Sequence, residues 1–273
     1  MTASSRHSFY DNLGLGTLLA CVAGVVNAIG FVAFGGFVTH VSGNATRSAV
    51  EYSEGHFIIA GVFFLGILFF IAGAMTTTLL MRGHSIESPK AHYGFPLLLE
   101  AILIGFVALK GSTHIEVGKT HEISKLGDAW YINTLTFSMG LQNAIIRQTS
   151  GIIIRTTHMT GIVTDVGIAL GRVLSHINSK IMNNPRAIFH RPQSAKLSSQ
   201  LIQYCSSLYR RFHLERFFVN ISLLLSFLAG AVLGTFGYLR VGFAVLAGPL
   251  LVLILLAIAN LFALKQRATS PSQ

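Results

Sequence analysis

Two threonine–histidine pairs stand in matching settings. The stretch THVSGNATR occupies residues 39–47, and THMTGIVTD follows 118 positions later at residues 157–165. Each offers an imidazole beside a hydroxyl, His40 after Thr39 and His158 after Thr157. A histidine so placed is either a pH-sensitive gate or a neutral, hydrogen-bonded ring at an interface. Ser42 and Asn44 in the first stretch, and Thr160 in the second, can open a helix by capping free backbone N–H groups. Helix N-termini attract anions or the carboxylate end of a solute. Short helices are therefore expected from about Asn44 to Tyr52 and from Thr160 to about Leu170. At the shared offset Arg47 corresponds to Asp165. These opposite charges either pair where the halves meet or face separate aqueous sides.

Other residues extend this set. Asn27 lies in GVVNA and Asn143 in GLQNA, each inside an apolar run, where an amide bonds across helices or contacts a polar solute. Glu100 sits in FPLLLEAILIGF. A carboxyl group there is cheaper neutral than charged, which suits proton coupling; the alternative is an acid snorkelling to water or pairing with Arg82 or Lys90. Enzyme chemistry finds no footing. HIEVGKTHE in residues 114–122 does not have HExxH spacing, and no nucleophile elbow, phosphate loop or dinucleotide glycine pattern stands in a suitable context. No metal and no cofactor is expected.

These residues must be positioned by apolar helices. The chain is 52% hydrophobic and only 11% charged, with mean hydropathy +0.61 and net charge +10. A soluble domain of this size carries about a quarter charged residues. The bilayer is thus the expected solvent, and the basic excess belongs to loops facing anionic lipid head groups rather than nucleic acid. No aromatic-basic interleaving suggests base stacking. Cys21 and Cys205 support neither a disulfide framework nor a metal site. The N-terminal residues 1–12 lack a cleavage signal, so the first apolar run is expected to be retained.

Six membrane spans are expected: Leu13–Phe34, Phe57–Leu80, Phe95–Leu109, Ala129–Ile146, Phe217–Leu239 and Gly242–Leu264. The third is short. The loop 174–216 carries seven basic residues and one acid, which places it, both termini and the 265–273 tail in the cytoplasm, with loop 111–128 outside. Within the basic loop, Leu197, Leu201, Cys205, Leu208 and Phe212 recur at helical spacing and predict an amphipathic helix on the inner leaflet.

The halves repeat. GVVNA matches GLQNA, FIAGA (70–74) matches FLAGA (227–231), and Gly94-Phe95 matches Gly242-Phe243, in one order. Residues 13–110 and 129–264 therefore each hold three spans, and an odd number inserts the second half upside down. The fold expected is all-α integral membrane, two inverted three-helix repeats with short motif helices after spans 1 and 4. With its paired GxxNA and Thr-His motifs, the chain resembles the YoaK-type family of bacterial membrane proteins over roughly Leu13 to Leu264. That resemblance implies a six-span inner-membrane protein and no particular substrate. The function expected is passage of a small solute, by alternating access or a gated pore, with the polar residues named above as binding or gating groups. The alternative is a non-transporting scaffold or sensor that holds a partner through its basic loop.

Overall fold

The computed structural model describes residues 3–81, 93–115, 129–150, 159–183 and 214–269. They form α1 (Ala3–Phe34), α2 (Val41–Ser53), α3 (Phe57–Leu80), α4 (Gly94–His114), α5 (Ala129–Ser150), α6 (Met159–Asn183), α7 (Leu214–Val241), a 3-10 turn (Gly242–Leu246) and α8 (Ala247–Thr269). No strand occurs among the described residues. Among the described residues, four segments are long and apolar enough to cross a bilayer: Leu13–Phe34, Phe57–Leu80, Gly94–His114 and the 49-residue Phe217–Lys265, which takes in most of α7 and of α8. The chain is a helical membrane protein.

Several expected boundaries move. The third span is not short: α4 has 21 residues, about 31 Å of helix. Pro96 sits in its first turn, where the missing N–H has no helical partner to lose. The last span starts at Ala247 rather than Gly242, because Gly242 takes φ 60° and a 3-10 turn follows before α8. The helix after the first motif starts at Val41, before Asn44. The helix after the second continues to Asn183, well past Leu170, since its sequence carries no glycine-proline stop and keeps an apolar face. The expected fourth span is the helix α5, yet it is too polar to stand among the four apolar segments. The amphipathic helix expected at 197–212 lies outside the described residues, as do residues 116–128 of the external loop.

The chain forms two compact units, Met1–Thr157 with Leu225–Gln273, and His158–Leu224. In the first, α1 and α5 are inner helices. Leu19, Ala20, Ala23, Val26, Ile29 and Ala33 of α1 are fully buried, as are Leu135, Met139, Leu141 and Ile145 of α5. They run antiparallel. Phe34 at the end of α1 stacks on Tyr131 at the start of α5, with centroids 5.9 Å apart, while Leu19 meets Gln142 further along.

Each inner helix is crossed by an outer one at a pair of glycines. A methyl group at Gly24 would overlap the carbonyl oxygen of Phe227, and one at Gly230 would overlap that of Cys21. Likewise a methyl at Gly140 would overlap the carbonyl of Phe70, and one at Gly73 that of Phe137. Backbones in contact gain close packing that larger residues forbid, which drives helix association in lipid. The order of contacts makes α1 parallel to α7 and α3 parallel to α5. One step further along the two seams differ. Thr77 donates its hydroxyl to the Leu141 carbonyl at 3.0 Å, whereas Gly234 lies bare against the Val25 backbone.

The remaining pair, α4 and α8, runs antiparallel. The Gly94 N–H donates to Asn260 Oδ1 at 2.9 Å, Gly105 faces Leu250, and Gly111 lies against the Phe243 ring. The outer helices present apolar residues outward at helical spacing: Phe64, Leu68, Ile71, Met75 and Leu79 on α3, and Leu251, Leu255, Ile258 and Phe262 on α8. Faces of that length are stable against acyl chains and not against water.

In the second unit, α6 is amphipathic. Ile162 is buried, while Thr160, Thr164, Asp165 and Arg172 are exposed.

Candidate functional site

The first polar motif is built around a chain reversal. α1 stops at Phe34 because Gly35 adopts φ 66°, a conformation that glycine reaches without strain. The chain then folds back on α1, and Asn27 holds it there. Its Oδ1 accepts from Val38 N–H at 3.2 Å, Thr39 N–H at 3.1 Å and Thr39 Oγ1 at 2.8 Å. The GxxNA and Thr-His motifs of this half are thus one device, the first supplying the acceptor and the second the donors. Asn143, the matching residue on α5, is half-buried and also engaged. Thr157 and His158 lie outside the described residues.

His40 precedes α2 without capping it through its side chain; its Nε2 lies 2.9 Å from Ser42 Oγ, and its ring meets Phe37 edge-on. Ser42 and Asn44 therefore fall inside the first turn rather than at a cap. Arg47 is exposed but not idle. Its Nη1 donates to the Gly35 carbonyl, its Nε lies 3.4 Å from Glu51 Oε1, and its guanidinium stands 4.7 Å from the Phe63 ring centroid. Arg47 so ties α2 to the reversal and to α3. Asp165 is exposed on α6 in the second unit, as is Thr160, whose carbonyl accepts from Thr164.

Asn44 is the motif residue that goes inward. It is buried, and its Nδ2 would lie 3.7 Å from a methyl placed on Gly66 of α3. The same point is 3.3 Å from Asn133 Oδ1 and 3.9 Å from Thr136 Cγ2, both on α5 and both buried. Gly66, by lacking a side chain, lets an amide donor and an amide acceptor converge between three helices. The Thr136 hydroxyl is satisfied by the Ile132 carbonyl, and that of Ser138 by Thr134. Gln142, fully buried lower on α5, donates its Nε2 to the Leu19 carbonyl at 2.8 Å and leaves its Oε1 without a partner. Glu100 on α4 is fully buried, and neither carboxyl oxygen has a partner.

Sequence reasoning named Asn44 and Glu100 but missed Asn133, Thr136 and Gln142. The signal was available. Set in repeat register, these residues stand opposite Thr17, Ala20 and Val26 of α1, so α5 is the polar member of an otherwise matched pair.

One further cluster lies at the end of α2. Glu51, Glu54 and His56 bring ligand atoms within 4.8 Å of one another. The His56 Nδ1 contacts to Glu51 at 3.0 Å and Glu54 at 3.7 Å account for the arrangement without an ion.

No curated protein and no solved structure matches the chain. A family does: residues 15–259 match it almost from end to end of the helical region, and the chain belongs to the family described as Protein of unknown function (DUF1275).

Proposed function

We propose that this protein is a small-solute transporter or gated permeation pathway of the bacterial inner membrane, built as two inverted three-helix repeats. In this reading α1, α3, α4, α5, α7 and α8 are the six spans, and both termini face the cytoplasm, where the basic loop meets anionic lipid. The likeness to YoaK-type proteins agrees with it.

The observation that carries the reading is the equivalence of the two glycine crossings. The first helix of each half packs on the second helix of the other, through glycines that match in sequence: Gly24 with Gly230, and Gly140 with Gly73. Halves interlocked about an axis in the membrane plane are the plan of many secondary transporters, with solute sites near the interface of the repeats. The polar line of Asn44, Asn133, Thr136 and Gln142 supports a path along α5, because buried polar groups in lipid are costly without a purpose. Asn27, Thr39, His40, Ser42 and Arg47 then shape and gate one mouth; Asn143, Thr157, His158, Thr160 and Asp165 are their candidate counterparts by sequence match.

The test is flux into proteoliposomes of a panel of sugars, amino acids, organic acids and amines, read by mass spectrometry. The expected result is uptake above that of protein-free vesicles, lowered about tenfold or more by Asn44→Ala and Asn133→Ala, the loss of one good hydrogen bond at a binding group. Uptake unchanged by both substitutions removes the α5 path. Absence of any uptake favours the scaffold reading, in which the basic loop holds a partner.

A further inference from the structure

Among the described residues, the buried side-chain oxygens without a hydrogen-bond partner are Glu100 Oε1, Glu100 Oε2 and Gln142 Oε1. They belong to helices that pack on each other, α4 and α5. On α4, Leu97, Glu100, Ile104, Val107 and Gly111 form one buried stripe at spacings of three and four residues. That stripe is turned by about a quarter of the helix circumference from Gly94 and Gly105, which face α8. Glu100 is therefore directed away from α8 and into the buried interior.

Depth agrees as well. Gly111 near the end of α4 touches Phe243, Phe243 packs on Phe34, and Phe34 stacks on Tyr131 near the start of α5. The end of α4 and the start of α5 thus share one side of the molecule. Counted from the other side, Glu100 lies six residues or about 9 Å inside α4, and Gln142 eight residues or about 12 Å inside α5.

Among the described residues, charges that could balance a carboxylate stand elsewhere; Arg82 and Lys90 lie outside the described residues. Lys110 and His114 of α4 are at its far end, and Tyr131 of α5 is there too. Arg147 of α5 and Lys265 of α8 are exposed, Arg267 lies beyond Lys265, and α3 and the 3-10 turn carry no charged residue. Three acceptors with no donor and no cation suit a ligand that is itself a donor. The smallest is the proton. An unpaired buried carboxylate is far costlier than the neutral acid, and the acid brings the one O–H that the group lacks.

We propose that Glu100 and Gln142 form a buried proton site, in which Glu100 is a neutral acid whose O–H is directed to Gln142 Oε1, across one water where the gap requires it. Loading forms the Glu100 O–H bond with a proton from the aqueous side, and unloading returns that proton to water; no other bond changes. The site stands on the buried pair and does not depend on solute transport.

Infrared spectroscopy of the full-length protein in liposomes at neutral pH tests it. Wild type minus Glu100→Gln should show the carbonyl stretch of a protonated carboxylic acid, shifting in heavy water. The same band should move to higher frequency in Gln142→Leu, as an acid carbonyl does when its O–H loses its acceptor. A difference spectrum showing ionised carboxylate instead overturns the proton site, and a band unmoved in Gln142→Leu overturns the role of Gln142. Because Glu100→Gln keeps shape and removes only the acid, a folded variant by circular dichroism is expected. If it fails to fold, the heavy-water shift and the response to Gln142→Leu are read on the wild-type band alone.

Discussion

α1 and α5 occupy matching places and are made of different material. Both are inner helices, both carry a GxxNA motif, and both are crossed at an equivalent glycine by an outer helix. Yet where α5 buries Asn133, Thr136, Ser138 and Gln142, α1 has Thr17, Ala20, Val22 and Val26. The same glycine crossing tolerates either set, so close helix contact leaves the polarity of the buried positions free. A buried amide with one atom unpaired costs about 1–3 kcal/mol relative to an apolar residue of similar shape. α5 bears that cost and α1 does not, which sets apart two helices that are crossed in the same way.

The comparison can be broken at four points. The largest effect is expected at the crossings. Gly24→Val and Gly140→Val each drive a branched side chain into a neighbouring backbone and should destabilise by about 3 kcal/mol or more. Reversible unfolding in mixed detergent–SDS micelles should give similar losses for the two, and a tolerated substitution at either would end the equivalence. Next is Asn27→Ala, which removes an acceptor shared by three donors and should cost about 2–3 kcal/mol by the same measurement. Asn143→Ala should cost as much if its partner in the second half is the matching reversal. The sharpest contrast is a reciprocal exchange. Val26→Gln should destabilise by about 2 kcal/mol, while Gln142→Val should cost about 1 kcal/mol, because it gives up the bond to the Leu19 carbonyl and the acceptor facing Glu100 but leaves no amide to bury. Equal effects of the two swaps would mean that α1 and α5 do not differ in environment. The smallest effect on stability is expected of Arg47→Ala, about 1 kcal/mol, since Arg47 itself is exposed and water can replace much of what it gives Glu51 and the Gly35 carbonyl. Solute flux, not stability, is where that substitution should register.

The apolar helices could be read from hydropathy alone, because lipid demands long runs of one kind. The matching sequence stretches hold the crossing glycines Gly24, Gly73, Gly140 and Gly230, because a backbone touching a backbone leaves no room for a larger side chain. What escaped was the work done between helices. Asn27 and Thr39 are twelve positions apart, and nothing in either stretch says that one accepts from the other. Asn44 was visible as a motif residue, but its neighbours Asn133 and Thr136 come from a helix that sequence treats as an ordinary span, and only the bare Gly66 between them brings them together. The boundary at Gly242 was missed for a local reason. A positive φ interrupts an apolar run without changing its composition.

The side-chain bonds that set one seam apart have a mechanical meaning. Thr77 and the Gln148–Thr78 bond pin α3 to α5, whereas Gly234 brings no side chain to the contact of α7 with α1. A smooth joint slips under a load that a pinned joint resists. Any rocking of this molecule should therefore begin along α1 and α7, with α3 and α5 moving as one piece.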